Sequence, residues 1–100
     1  MTEKDIERKL KKRIELLGCM CLKFVSPGYT GVPDRMILVP GGKIIFVELK
    51  APGKKERPRQ VYVQRRLREL GFIVVSSVDS DDRINQVVEM CKSYTSQRER

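Results

Sequence analysis

The chain has 100 residues, enough for one domain, and 40% of them are hydrophobic, as in a globular protein. Its 21 basic residues against 13 acidic ones give a formal charge of +8, which favours polyanionic partners such as nucleic acids. The absence of histidine excludes a Ser-His-Asp triad and any histidine-based zinc site. Hydrolytic chemistry would therefore need carboxylates, lysine and a hard metal ion.

Neither a membrane anchor nor a disulfide framework is expected. No apolar run approaches the roughly 20 residues that span a bilayer, and the charged first five residues do not begin a signal peptide. We therefore expect a soluble, cytoplasmic protein. The three cysteines, Cys19, Cys21 and Cys91, contain no CxxC pair and are interpreted as small buried hydrophobes.

The first half of the chain predicts a helix followed by strands. Thr2 is a plausible N-cap of a helix that ends near Leu17, before Gly18. Its apolar positions recur at helical spacing and form one stripe: Ile6, Leu10, Ile14 and Leu17. Residues 19–25 read as a strand, and residues 26–33 as a loop rich in turn formers.

A hairpin follows, with strands at residues 34–39 and 43–50 joined by Pro40-Gly41-Gly42. The second strand is apolar on both faces, which is typical of a strand in the middle of a covered sheet. A three-residue turn would place Asp34 directly opposite Glu48, whereas a two-residue turn would place it opposite Leu49.

The second half predicts two more helices and a strand. A basic loop at residues 51–57 leads to a helix from Pro58 to about Leu70, and residues 72–76 read as a strand. Asp79 or Ser80 caps a third helix with five apolar positions: Ile84, Val87, Val88, Cys91 and Tyr94. Residues 95–100 are expected to fray. The order α-β-β-β-α-β-α predicts one α/β domain with a central mixed sheet flanked by helices.

Charged residues at the hairpin indicate a site. Opposed carboxylates with Cβ atoms about 5 Å apart repel each other unless a cation lies between them. Lys50 shares a face with Glu48, although this pair alone could be a simple ion pair at a sheet edge. Glu3 falls within the apolar stripe of the first helix and Glu7 just beyond it. Gln60 lies on the sheet-facing side of the second helix.

These residues resemble the PD-(D/E)xK nuclease superfamily and, more narrowly, a stand-alone VRR-NUC domain (virus-type replication-repair nuclease). The resemblance covers roughly residues 2–76. It rests on Glu3, the run Gly31-Val32-Pro33-Asp34-Arg35, the run Val47-Glu48-Leu49-Lys50, and Gln60. It implies a restriction-endonuclease-like core and hydrolysis of phosphodiester bonds with Mg²⁺ or Mn²⁺.

The resemblance also implies roles for these residues. Asp34, Glu48 and the Leu49 carbonyl would bind the metal, and Glu3 would reach it directly or through water, with Glu7 as the alternative. Lys50 would orient the attacking water, and Gln60 would complete the pocket.

DNA contacts are expected to follow shape rather than base sequence. The nucleic-acid-binding candidates are Lys54, Lys55, Arg57, Arg59, Arg35 and the loop residue Tyr29. Stand-alone members of the family look like dimeric Holliday-junction resolvases of phage or bacterial DNA repair, so branched DNA and a homodimer are expected by analogy. The alternatives are a catalytically inactive DNA-binding module, a partner-binding protein, and a flap or end-processing nuclease.

Overall fold

The computed structural model describes residues 1–98, with side chains described through residue 95, and shows seven elements in the predicted order. They are helix α1 (Glu3–Glu15), strands β1 (Met20–Lys23), β2 (Arg35–Val39) and β3 (Lys43–Leu49), helix α2 (Pro58–Glu69), strand β4 (Ile73–Val78) and helix α3 (Asp81–Arg98). The predicted α/β class is confirmed. None of the described helices is long and apolar enough to cross a membrane.

The four strands form one mixed sheet in the order β1-β2-β3-β4. The first three are antiparallel, and β4 runs parallel to β3. Pairing of Arg35 with Val47 and of Val39 with Lys43 confirms the three-residue turn. The same register, continued by one residue, sets Asp34 opposite Glu48. The central position predicted for β3 is also confirmed, because it pairs with β2 on one side and with β4 on the other.

Helices α1 and α3 pack on one face of the sheet and enclose the main hydrophobic core. Helix α1 begins with a reciprocal cap, in which Thr2 Oγ1 accepts from the Asp5 N–H at 3.1 Å and Asp5 Oδ2 accepts from the Thr2 N–H at 2.8 Å. The three cysteines are buried in this core, as predicted. Burial raises the pKa of the Cys91 thiol to about 12, which makes it unreactive.

The C-terminal segment differs from the sequence-based prediction. Residues 95–98, where the sequence led us to expect fraying, continue α3 to Arg98. Thr95 Oγ1 donates to the Cys91 carbonyl at 2.9 Å, and no glycine or proline interrupts the helix there. Residues 99 and 100 lie outside the described residues.

The loop between β1 and β2 packs closely against the start of α2. Gly31 has φ +92°, and a Cβ at this position would lie 2.8 Å from Arg59 Cγ and 3.0 Å from the Arg59 carbonyl oxygen. The Arg59 Nε–H also donates to the Thr30 carbonyl at 3.0 Å. Only glycine allows this approach, which brings α2 beside the segment that leads into Asp34.

We expect Gly31→Ala to lower the free energy of unfolding by about 2 to 4 kcal/mol, because both the positive φ and the contact with Arg59 oppose a side chain. Gly28→Ala is the matched control, since Gly28 has φ +84° and no atom lies within 4 Å of the point that a Cβ would occupy. Gly28→Ala should lower the free energy of unfolding only by the cost of the positive φ, about 1 kcal/mol. Urea denaturation measures both values, and equal losses would contradict the steric interpretation.

Candidate active site

Asp34 is held at the junction of three segments, just before β2 begins. Its carboxylate Oδ2 accepts a hydrogen bond from the Leu49 backbone N–H at 2.9 Å. Its carbonyl accepts another from the Phe24 backbone N–H at 2.8 Å, which extends the pairing of β1 with β2. Asp34 is half-buried at the edge of the sheet. One of its carboxylate oxygens is therefore held by the end of β3.

Glu48 is the most unusual residue of the sheet, because it carries an ionisable carboxyl group and is 0% exposed. Neither Oε atom has a hydrogen-bond partner among the described residues. Burial first, and then the closeness of the Asp34 carboxyl group, raise the pKa of Glu48 to about 9. The positive charge of Lys50 acts in the opposite direction. Two carboxyl groups are thus brought together, and among the described residues no hydrogen-bond donor reaches Glu48.

Lys50 is positioned by Gln60. The Lys50 ammonium donates to Gln60 Oε1 at 3.0 Å, and the Arg57 backbone N–H donates to the same oxygen at 2.9 Å. Gln60 occupies the third position of α2, from which a side chain can reach back to the start of the helix. The residue that caps α2 therefore also fixes the direction of the lysine.

A β-bulge lies directly beside Glu48. Val47 pairs with Val75 and Leu49 with Val78, so β4 has one extra residue opposite Glu48. Ser77, in this bulge, has φ 51°. The Glu56 carboxylate stabilises this backbone by accepting from the Ser77 N–H at 3.0 Å and from its hydroxyl at 3.2 Å. Glu56 was not predicted as a site residue; its only signal in the sequence is that it is the one acid in a basic segment.

Gln64 is a second residue that the sequence did not reveal. It is 1% exposed, and its Oε1 accepts from the Ser76 hydroxyl, while its Nε2 has no partner among the described residues. Arg68 donates to Ser76 Oγ at 2.8 Å and to the Val74 carbonyl at 3.0 Å. Gln64 lies one helical turn after Gln60, and this spacing is its only sequence signal. Helix α2 thus presents two amides to the site.

The carboxylates of α1 lie at the site's edge and do not join the pair. Glu3 is exposed, and together with Glu7, Asp34 and Leu49 it lines a cleft of about 220 Å³. Glu7 forms an ion pair with Arg35, whose side chain is only 14% exposed. In the part of the chain that the structure describes, no three acidic, thiol or imidazole side chains are grouped closely enough to hold a metal ion.

The remaining nucleic-acid-binding candidates fall into two groups. Lys54, Lys55 and Arg57 lie on the loop that follows β3, and all three are exposed. Arg59 is exposed as well, but its guanidinium group is placed over the ring of Tyr29. Arg35 differs from both groups, because its ion pair with Glu7 places it in the wall of the cleft rather than on an open surface.

Comparison with known proteins places this site in a family. No family model matches the chain. A protein of Acyrthosiphon pisum secondary endosymbiont phage 1, named "Putative nuclease p44", is 49% identical over 80 residues, which are 80% of this chain and 85% of that protein. A solved structure described as "VRR_NUC domain" has a TM-score of 0.79 and 30% identity, and covers 89% of this chain and 97% of its own.

The chain belongs to the VRR-NUC family. The resemblance drawn from the Gly31–Arg35, Val47–Lys50 and Gln60 motifs is therefore confirmed, as is the fold that it implied.

The donor set of this VRR-NUC chain fits a hard divalent cation. Asp34 and Glu48 supply only oxygen atoms, which Mg²⁺ and Mn²⁺ prefer as ligands. Both Glu48 oxygens are buried and without a hydrogen-bond donor among the described residues, a state that a bound cation relieves. Asp34 and Glu48 are therefore the residues that could hold a metal, and the resemblance adds the Leu49 carbonyl to them.

We expect the metal-free protein to lose stability as the pH rises from about 4.5 to about 9. The pKa of Glu48 is 4.5 when unperturbed and about 9 in the folded chain, so folding favours the protonated form, and its contribution is complete only at low pH. Glu48→Gln carries no ionisable group and should remove this dependence. At pH 8.5 the variant should be more stable than wild type, by an amount on the order of 1–3 kcal/mol.

Urea denaturation in EDTA at pH 5 and pH 8.5 measures this effect. Glu15→Gln is the control, because Glu15 is exposed at the end of α1 and its substitution should leave the pH dependence unchanged. Parallel pH dependences for wild type and Glu48→Gln would show that the buried carboxyl is not its source.

Proposed function

We propose that this VRR-NUC chain is a Mg²⁺- or Mn²⁺-dependent endodeoxyribonuclease that hydrolyses phosphodiester bonds in structured or branched DNA, including Holliday junctions. The observation that carries the proposal is the buried Glu48 carboxylate, which has no hydrogen-bond partner among the described residues and lies beside Asp34, at the same strand end as Lys50. Family membership and the name of the phage relative support the nuclease activity. The net charge of +8 supports DNA as the substrate.

Asp34, Glu48 and the Leu49 carbonyl are proposed to hold the cation. When bound, such a cation lowers the pKa of water and offsets negative charge on the phosphate during an in-line displacement. The hydrogen bond from the Leu49 N–H to Asp34 Oδ2 leaves the other Asp34 oxygen, Oδ1, available. Glu3 or Glu7 completes the acidic side of the cleft in this proposal, since both line it with Asp34.

Lys50 is proposed to orient the attacking water and to stabilise charge that develops on the phosphate. An ammonium group has three N–H donors, and Gln60 engages one of them. The other two remain for water and a phosphate oxygen. Because Gln60 is itself fixed by the Arg57 N–H, Lys50 does not have to be ordered when the substrate arrives.

The exposed Lys54, Lys55 and Arg57 are proposed to bind phosphates of the strand that enters the site. They follow β3 immediately, so they lie next to the residues that would act on the scissile phosphate. Contacts between charged side chains and phosphates do not distinguish one base sequence from another, so they favour recognition of DNA shape. They also make the affinity for DNA fall steeply as the salt concentration rises.

We expect metal-dependent cleavage that is lost in Asp34→Asn and Lys50→Met, by at least about 100-fold, because each substitution removes a charge but retains size. Labelled four-way junction, flap, single-stranded and linear duplex DNA are incubated with Mg²⁺ or Mn²⁺, with and without EDTA. Lys92→Met is the matched control for loss of a lysine, since Lys92 pairs with Glu89 on the surface of α3.

The pattern of results distinguishes the alternatives. Cleavage of junctions above all other substrates supports the resolvase-like function, and preferential cleavage of flaps or ends supports an end-processing nuclease. Binding of DNA by the wild type without cleavage under any metal condition would replace the proposal with the inactive binding module.

We also propose a homodimer, formed through the part of the sheet that α2 does not cover. On the α2 face, the helix packs chiefly against β4. The strand register places an apolar surface on the rest of this face, and Met20 and Leu22 are 54% and 39% exposed there. The residues of this surface are Met20, Leu22, Met36, Leu38 and Ile44. Neighbouring apolar residues that remain partly exposed on one face of a sheet are typical of an interface.

We expect Leu22→Asp to convert the dimer to a monomer, because a charge in the middle of the interface would be desolvated without a partner. Val61→Asp is the control, since Val61 is 50% exposed on α2, outside this surface. Analytical ultracentrifugation at several concentrations gives the mass of each variant. A wild-type monomer at all concentrations, or a dimer that survives Leu22→Asp, would contradict this interface.

A further inference from the structure

Two tyrosines and one arginine form an aromatic–cationic stack next to the active site. The Arg59 guanidinium carbon lies 4.6 Å from the ring centroid of Tyr29 and 5.2 Å from that of Tyr62. Arg65 approaches the Tyr62 ring as well, at 5.9 Å. Tyr29 comes from the loop before β2, whereas Arg59 and Tyr62 lie three residues apart on α2. We call Tyr29, Arg59 and Tyr62 the tyrosine–arginine stack.

The stack is fixed in place before any ligand binds. The Arg59 Nε–H donates to the Thr30 carbonyl at 3.0 Å, and the absence of a side chain at Gly31 lets the loop contact the Arg59 backbone. Groups that are already ordered lose little conformational entropy when a ligand binds to them. The arrangement therefore suits a binding surface.

The stack is also accessible and close to the catalytic lysine. Tyr29 and Tyr62 are 45% and 41% exposed, so a large part of each ring remains free for further contacts. Arg59 lines a cleft of about 220 Å³ together with Thr30, Gly31, Arg57 and Gln60. Gln60 accepts a hydrogen bond from the Lys50 ammonium at 3.0 Å, so one residue of this cleft also contacts the proposed catalytic lysine.

We propose that the tyrosine–arginine stack binds an unpaired nucleobase of a DNA strand whose backbone passes Lys50. Nucleobases stack on tyrosine rings and on guanidinium planes alike, and Arg59 adds a positive charge for the adjoining phosphate. A base inside a duplex has both faces covered by its neighbours and is not free to stack in this way. The stack thus selects DNA with an unpaired base near the cleavage position, such as a branch point or a single-stranded segment.

This inference rests on the proposed nuclease function and narrows its substrate class. The same contacts could instead serve only to fasten the loop at residues 26–33 to α2. The two roles differ in one measurable respect: binding by the stack depends on the presence of the base in the DNA, whereas a fastening role does not.

A cycle of base removal and side-chain removal separates these roles. A gapped duplex with a short unpaired thymine segment is compared with versions in which one thymine at a time is replaced by an abasic residue. Dissociation constants are measured in EDTA, so that no strand is cut, for wild type, Tyr62→Leu and Tyr62→Phe. Tyr29→Leu tests the other ring. Urea denaturation checks that each variant remains folded.

At one position of the unpaired segment, we expect base removal to weaken wild-type binding by about 5- to 100-fold. The same base removal should change binding by Tyr62→Leu less than about 2-fold, and Tyr62→Phe should behave like wild type because it keeps the ring. If base removal weakens wild type and Tyr62→Leu equally at every position, the proposed base site is wrong.

Two further outcomes would contradict the inference, and a third would contradict the proposed function instead. Tyr62→Leu could instead bind gapped and fully paired DNA equally more weakly and have a lower free energy of unfolding. This result would show that the stack only attaches the loop to α2. The proposed function fails separately, if the wild type with Mg²⁺ or Mn²⁺ cuts none of the DNA substrates named above. Wild type that cuts DNA but shows no coupling in the cycle would leave the nuclease in place and remove only the base site.

Discussion

The buried carboxyl of Glu48 is the constraint to which the rest of the site responds. It lies on the central strand, 0% exposed, beside a second carboxyl on Asp34, and no described donor offsets its charge. Burying such a group is costly unless it is protonated or paired with a cation, and the raised pKa shows the first of these solutions. The fold tolerates Glu48 because β3 is secured on both sides by neighbouring strands. A proton can therefore occupy the place that a cation takes in the proposed reaction.

Helix α2 contacts three separate parts of the site and fixes their positions relative to one another. Its first turn carries Arg59, which holds the loop before Asp34, and Gln60, which holds Lys50. One turn later Gln64 contacts Ser76 in the bulged end of β4, directly opposite Glu48. A small rotation of α2 would disturb all three contacts together. The close approach at Gly31 prevents such a rotation by fixing the distance between loop and helix.

Local chemistry explains which features the sequence predicted. The turn Pro40-Gly41-Gly42 determined the hairpin register, and the strand period placed Glu48 and Lys50 on one face, so the centre of the site followed from neighbours along the chain. The bulge at Ser77 and the ion pair of Glu7 with Arg35 did not follow, because each depends on segments more than 20 residues apart. The role of Tyr62 was missed for the same reason. Tyr62 is close to Arg59 in the sequence, but the stack also requires Tyr29, which comes from a distant loop.

The distribution of charge links metal and DNA in the proposed reaction. Asp34 and Glu48 would repel a phosphate that approached the cleft, whereas Lys54, Lys55 and Arg57 attract the flanking backbone from the exposed loop. In the proposed reaction, a cation at the carboxylate pair would replace this repulsion with attraction and would strengthen DNA binding. Linkage requires that DNA strengthen cation binding by the same factor. The incomplete ligand set among the described residues is consistent with this coupling, because a phosphate oxygen can supply a ligand that no third side chain provides. A metal site that is weak without its substrate and strong with it would confine the proposed hydrolysis to a strand that already lies in the cleft.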